Sequence, residues 1–264
     1  MPKLLVPALE TADGVLHDVT PQSAGWTYVG FSTRKLAAGA GFTLAAPARE
    51  LCLVVLSGRV RVIAQGFDSG VIGERADVFA GLPWSVYLPP GAEARVSAEG
   101  DAEVAICSAP AEGRLKARII APAQVETAER GKGTNLRHIR NILSQTAEAE
   151  SLLVVEVVTP SGHWSSYPPH KHDRDNFPHE TLLEETYYHR LKPPQGFGMQ
   201  RVYTDDRSLD ETMTVTDRDV VLVPRGYHPC AAAHGYDLYY LNVMAGPKRV
   251  WRFHNDPAHE WLMS

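Results

Sequence analysis

What most limits the fold of this chain is a succession of short apolar segments cut at close intervals by glycine and proline. Leu51-Cys52-Leu53-Val54-Val55-Leu56 is stopped by Ser57-Gly58, and Arg59-Val60-Arg61-Val62-Ile63 then alternates polar with apolar. Such alternation marks a half-buried strand, because successive side chains leave a strand on opposite faces. Ser85-Val86-Tyr87-Leu88 runs into the turn Pro89-Pro90-Gly91, followed by Arg95-Val96 and by Glu103-Val104-Ala105-Ile106-Cys107. The second half repeats the theme at residues 152–158, 185–190, 198–203, 219–223 and 238–243. Strands this short and frequent predict an all-β chain built as sandwiches or barrels. The 21 glycines and 19 prolines supply its turns. Helical signal is confined to residues 134–145, where Leu136, Ile139 and Leu143 fall at helical spacing behind Asn135 as a cap.

At 264 residues the chain is long enough for one large domain or two ordinary ones. A hexamer recurs: Leu88-Pro89-Pro90-Gly91-Ala92-Glu93 and Val223-Pro224-Arg225-Gly226-Tyr227-His228 each follow an apolar strand and precede a loop and another strand. The repeat predicts two β lobes related by internal duplication, over residues 1–120 and 121–264. The formal net charge of −5 gives no basic field to favour nucleic acid. No apolar run of about 18 residues is present to cross a membrane. Cys52, Cys107 and Cys230 are far apart and odd in number, which argues against a disulfide framework and against a thiolate metal site. With no leader pattern at Met1-Pro2-Lys3-Leu4-Leu5, the expectation is a cytoplasmic protein.

The chemistry is unevenly distributed. Of the eleven histidines only His17 precedes residue 138, and in the repeated hexamer Glu93 stands where His228 stands. The second lobe alone is therefore equipped to hold a metal through imidazole, and the first reads as a scaffold lacking metal ligands. In Pro168-Pro169-His170-Lys171-His172-Asp173, an extended backbone points His170 and His172 the same way and Lys171 the other. Taken alone, such a pair is more often plain surface polarity. Glu185, opening a strand, and His228, at the end of another, complete a donor set of three imidazoles and one carboxylate. Glu185 is favoured because period two sets Tyr187 and His189 beside it, with Glu184, Glu180 and His179 as rivals. Zinc or manganese suits this set best, and iron or nickel also fits it.

From His163 onward the chain resembles the 5-deoxy-glucuronate isomerases of inositol catabolism. The matching stretches are Trp164–Asp173, Glu184–Arg190, Pro194–Phe197, Gln200–Ser208, Val223–Pro229, Gly235–Pro247 and Asn255–Pro257. The N-terminal 130 residues match only in general strand pattern. The resemblance implies a bicupin, two double-stranded β-helix lobes, with the metal in the C-terminal barrel. It is similar also to the 5-keto-4-deoxyuronate isomerases, whose metal set falls here on His170, His172, Glu185 and His228. Residues 173–184 lengthen the usual cupin interval between the His-x-His pair and the carboxylate, and supply a loop that can close over substrate.

The implied reaction is the aldose–ketose isomerisation of 5-deoxy-D-glucuronate to 5-dehydro-2-deoxy-D-gluconate. A divalent cation binds both reacting oxygens and stabilises an enediolate, and a base moves the proton between the two carbons. Tyr187, Tyr203, Lys171, His189 and a metal-bound hydroxide are the candidates for that base. The substrate carboxylate calls for an arginine clamp, drawn from Arg137, Arg140, Arg201 and Arg225. His254, Asp256 and His259 stand near enough in sequence to the C-terminus to close the site or cap the fold. The expected partner is a small sugar acid, and bare β edges favour a homo-oligomer. Two other readings compete: another metal-dependent cupin enzyme, such as a dioxygenase or epimerase, and a non-catalytic sugar-acid-binding cupin.

Overall fold

Strands make up nearly all the regular structure of the computed structural model, which describes residues 3–263. Among those residues the one α-helix is the single turn Pro21–Ala24, capped by Thr20 through Ser23 and ended by Gly25 at φ 71°. The chain separates into two units. One comprises Ala8–Glu126 with Asn141–Val154; the other comprises the residues through Pro7, Thr127–Arg140 and everything from Val155 onward.

The first unit holds a six-stranded sheet in the order Arg118–Ile120, Ser85–Leu88, Arg49–Ser57, Ala102–Pro110, Gly30–Leu36, Val15–Val19. A four-stranded sheet runs Gly41–Ala45, Glu93–Ala98, Val60–Ala64, Phe67–Ile72. Leu51, Leu53 and Val55 leave one strand on the same side and meet Val60, Val62, Val86, Leu88, Val96, Val104 and Ile106 in a single apolar cluster. Burial of each such side chain stabilises the fold by about 2 kcal/mol before entropy is subtracted.

The large sheet of the second unit runs Leu5–Val6, Val220–Val223, Glu184–Lys192, Asp237–Ala245, Leu153–Thr159, Arg137–Leu143, Glu126–Arg130. Its four-stranded sheet runs Trp164–Ser165, Cys230–Ala232, Gly198–Tyr203, Asp210–Val215, and His170–Lys171 pairs separately with His254–Asn255. Six of its seven strands, Leu5–Val6 to Arg137–Leu143, and the four-stranded sheet match the first unit in order, and Glu126–Arg130 is an addition. The repeated hexamer begins at the same junction in both, at Leu88 and at Val223. Leu51 pairs with Leu88, and Glu185 pairs with Val223. The inward positions filled by Leu51, Leu53 and Val55 in one lobe are thus filled by Glu185, Tyr187 and His189 in the other.

The helix expected over residues 134–145 is not formed. A 3-10 turn at Gly133–Asn135 leads instead into the strand Arg137–Leu143. The strand lies between two others in the large sheet, and pairing on both edges overrides a weak local helical preference. Arg137 and Ile139 then share one face, and Arg140 takes the other.

One buried carboxylate fastens a loop of the first unit. Glu50 accepts the N–H groups of Glu150 (2.9 Å), Ser151 (2.6 Å) and Leu152 (2.6 Å) and the Tyr87 hydroxyl (2.7 Å). Glu50→Ala removes the acceptor from all four donors, and a loss of about 3 kcal/mol is expected in urea unfolding. Glu50→Gln, which keeps one carbonyl oxygen, is expected to lose distinctly less.

Candidate metal centre

Three donor atoms converge inside the second unit. Nε2 of His172 and Nε2 of His228 each stand 3.1 Å from Oε2 of Glu185. Both rings are oriented from behind by carbonyls: Nδ1 of His172 lies 3.0 Å from Leu183 O, and Nδ1 of His228 lies 2.8 Å from Gly226 O. A carbonyl only accepts, so each Nδ1 carries the proton and each neutral ring turns a bare Nε2 lone pair inward. Nε2 of His228, although close to the carboxylate, is out of line for a hydrogen bond and is buried with no hydrogen-bond partner. Lone pairs within 4.8 Å of one another repel unless a cation or a proton lies between them. His170, nominated as a fourth ligand, is not one of these three converging donors; it stands beside them, its ring 5.0 Å from that of His228 and 6.3 Å from that of His172.

Local backbone rules bring these side chains together. His170 and His172 share a side of the extended segment, and Lys171 points away. Glu185, Tyr187 and His189 share the inner face of Glu184–Lys192, and Glu184 takes the opposite one. His228 follows the turn at Gly226, which has φ 93°. A Cβ at Gly226 would meet Tyr203 O at 2.5 Å, so only glycine permits this approach.

Burial, reinforced by His228 and His172, holds the His170 imidazole well below its usual pKa and therefore neutral. Glu185 is wholly buried, which opposes its charge, yet His228 and His172 bring it down to about 2. Burial also opposes charge on His172, but the Glu185 carboxylate outweighs it and raises that pKa. A cation bound at these donors takes the place of any proton between His172 and Glu185. The donor set, the backing carbonyls and the unpartnered Nε2 fit a first-row divalent metal.

A cavity of about 490 Å³ opens beside His170. Its floor is the large sheet, read strand by strand: Tyr187; then Tyr240 and Asn242; then Val155 and Val157; then Ile139 and Arg137; finally Arg130. Near the metal end, Ser166 Oγ lies 2.8 Å from the Tyr187 hydroxyl, and Ser165 Oγ lies 2.6 Å from that of Tyr240. The Tyr187 and Tyr240 rings lie 4.8 Å apart, so the two hydroxyl pairs stand side by side. Ser166 sits at φ 50°. At the other end, Arg137 donates to Tyr167 O (3.2 Å) and Asn135 O (3.1 Å), and Arg130 lies over the Trp251 ring. Among the described residues neither guanidinium has a carboxylate partner, and burial together with Arg137 lowers the pKa of Arg130.

Of the residues nominated as proton carriers, Tyr187 lines this cavity, and burial pushes its pKa well up. Tyr203 instead donates to Asp256 (2.7 Å). Lys171 is enclosed by Asp173 (2.9 Å), Asp205 (3.1 Å) and Glu180 (3.8 Å). Burial opposes its charge, but these acids raise its pKa and keep it protonated. His189 faces Gln200, at 2.9 Å, and burial lowers its pKa to about 4. Of the nominated arginines, Arg137 reaches the cavity. Arg140 pairs with Glu156 on the other face of the sheet, Arg201 makes two 2.7 Å bonds to Asp210, and Arg225 is exposed. Glu180 accepts the Asp173 N–H and His179 is exposed, so neither joins the cluster. His254 pairs in register with Lys171, and His259 lies 3.9 Å from Asp256. Sequence reasoning missed Arg130, Ser166 and Tyr240 as cavity residues. Tyr240 and Asn242 were reachable, standing two apart in a legible strand, whereas a left-handed serine leaves no mark in a single sequence.

Two measurements test this centre. Glu185→Gln is expected to cut bound divalent metal, assayed by mass spectrometry, at least tenfold, while Glu184→Gln, on the other face, retains it. The second concerns His189, whose folded pKa of about 4 lies below the usual histidine value of 6.5. The unfolded chain then binds the extra proton first, so stability present above pH 6.5 is lost as pH falls toward 4, by about 3 kcal/mol in all. Urea unfolding across that window, compared with His189→Gln, is expected to show a flatter pH dependence in the variant.

The chain matches the KduI/IolB family over residues 4–262. It is 52% identical over 265 residues to the 5-deoxy-glucuronate isomerase of Geobacillus kaustophilus (strain HTA426), covering 100% of this chain and 96% of that one. An IolB-like protein from Salmonella typhimurium LT2 superposes with a TM-score of 0.97 at 52% identity, covering 99% of this chain and 100% of that one. An oxalate decarboxylase from Bacillus subtilis superposes with a TM-score of 0.65 at 13% identity, over 97% of this chain and 80% of that one, a likeness of fold that places the two lobes among the bicupins. No helix of the described residues is long and apolar enough to cross a membrane. Its match along nearly the whole length makes this chain a member of the KduI/IolB family.

Proposed function

We propose that the chain is an aldose–ketose isomerase converting 5-deoxy-D-glucuronate to 5-dehydro-2-deoxy-D-gluconate in inositol catabolism, with a divalent cation at His170, His172, Glu185 and His228. One observation carries the metal site: two neutral imidazoles and a carboxylate turn lone pairs onto one point, beside a cavity whose far end holds two guanidiniums without acid partners among the described residues. The curated relatives carry the same activity in their names. Bound there, zinc or manganese, or alternatively iron or nickel, supplies Lewis-acid polarisation of the substrate's carbonyl and adjacent hydroxyl oxygens.

The chain's own residues do the rest. Arg137, joined by Arg130, binds the substrate carboxylate and fixes which end of the chain faces the metal. Isomerisation shifts one hydrogen from C2 to C1 and one proton from O2 to O1, with no net gain or loss of electrons, so no redox cofactor enters. The hydrogen-bonded hydroxyls of Tyr187 and Ser166 suit the O2-to-O1 transfer, since each can accept a proton while passing another on. Tyr187, held protonated by burial, gives its proton first. Lys171 and Tyr203 act at one remove. Asp173 takes Lys171 on one oxygen and the Gly226 N–H on the other, which steadies the turn carrying His228. The 121–264 lobe carries the chemistry, and the 1–120 lobe, with leucine and valine at the corresponding inward positions, is its scaffold. Three free, buried thiols are compatible with a reducing cytoplasm.

The test is NMR observation of the substrate aldehyde proton with metal-analysed protein. Loss of that signal with appearance of the ketose is expected, and is abolished together with bound metal in the His170→Ala, His172→Ala double variant. Tyr187→Phe is expected to lower kcat by roughly 10²- to 10⁴-fold with little change in KM. Arg137→Met is expected to act mainly on KM. A folded, metal-loaded protein that leaves the aldehyde untouched sinks the assignment.

A further inference from the structure

The order of side chains across the cavity floor is informative about the middle of the substrate. Five adjacent strands carry it, and Glu185 and Tyr187 at one end are separated from Arg137 by the strand of Tyr240 and Asn242 and by Leu153–Thr159. Three strand spacings are about 14 Å at the backbone, shortened from both ends by the reach of the side chains. Every floor strand but one presents a polar group to the cavity. Leu153–Thr159 presents only Val155 and Val157, which are 2% and 4% exposed, while its Glu156 faces the opposite side and takes the Tyr239 hydroxyl at 2.7 Å. An acid held by its carboxylate at Arg137, and by its aldehyde end at the histidines, therefore lays the carbons next to its carboxylate over a surface with no hydrogen-bonding group.

We propose that Val155 and Val157 are specificity-determining residues that receive the C5 methylene and select a 5-deoxy acid over its 5-hydroxy counterpart, D-glucuronate. The inference rests on the isomerase reading above. A hydroxyl at C5 leaves water for this surface without a partner, and an apolar wall rejects an added hydroxyl by a factor of about 100. D-glucuronate also closes into a six-membered ring through its 5-hydroxyl, which keeps its free aldehyde scarce. That is a property of the solution and cancels when one enzyme is compared with another.

The experiment measures kcat/KM for both acids with metal-loaded wild type, Val155→Thr and Val157→Thr. Threonine nearly matches valine in shape and adds a hydroxyl, and thermal melting verifies that each variant folds. In at least one variant the ratio of D-glucuronate to 5-deoxy-D-glucuronate is expected to rise roughly tenfold over wild type, with D-glucuronate binding tighter by calorimetry. An unchanged ratio in both folded variants overturns the assignment while leaving the isomerase intact. Failure of the wild type to convert the deoxy acid takes down both together. Should one variant not fold, the other decides the matter by the same ratio.

Discussion

Everything in the second lobe follows from the need to hold unprotonated nitrogens and a carboxylate oxygen against one another in a dry interior. Such a cluster is unstable as bare protein, and it persists because each ring is fixed from behind. The Leu183 and Gly226 carbonyls hold the Nδ1 protons, and neither ring can turn away without orphaning a buried carbonyl. Gly226 permits the turn because any Cβ would strike Tyr203 O. Lys171, set between His170 and His172, faces out into acids that tie the following loop to this turn. The candidate metal site is thus a consequence of backbone placement, and the groups that orient its rings are main-chain carbonyls.

The duplication shows how little of a fold's stability a function needs to occupy. Corresponding strands leave one lobe with Leu51, Leu53 and Val55 and the other with Glu185, Tyr187 and His189 at matching positions. The first set packs into an apolar core, and the second forgoes that burial for polar groups that must each find a partner. Some do not: Nδ1 of His189 and Nε2 of His228 are buried without hydrogen bonds. At His228 the unpartnered nitrogen stands 3.1 Å from the Glu185 carboxylate, where an ion can complete it.

The strands were legible because alternation and turn residues are local, and the observed spans at 85–88 and 198–203 coincide with the expected ones. The histidines were legible for a related reason: two residues apart on extended backbone is a face. Residues 134–145 misled because Leu136, Ile139 and Leu143 satisfy helical spacing, while the partners that make the segment a strand lie elsewhere in the sheet. Arginines were the hardest to sort. Arg137, Arg140, Arg201 and Arg225 look alike in a sequence, and only their surroundings separate a cavity guanidinium from one spent on Glu156 or Asp210. Arg130 was passed over for the same reason.

The arginine pair and the metal cluster pose the same electrostatic problem with opposite sign. Two guanidiniums near one another at the cavity's edge, Arg137 half-buried and Arg130 exposed, repel each other and favour an anion between them. The histidine–glutamate group is costly until a cation arrives. A substrate with a carboxylate at one end and an aldehyde beside a hydroxyl at the other answers both, and between them the valines ask for carbon alone. Because the two polar ends are fixed on strands of one sheet, their separation is set by the sheet rather than by loops, which makes the cavity a rigid measure of chain length and of where along that chain oxygen is tolerated.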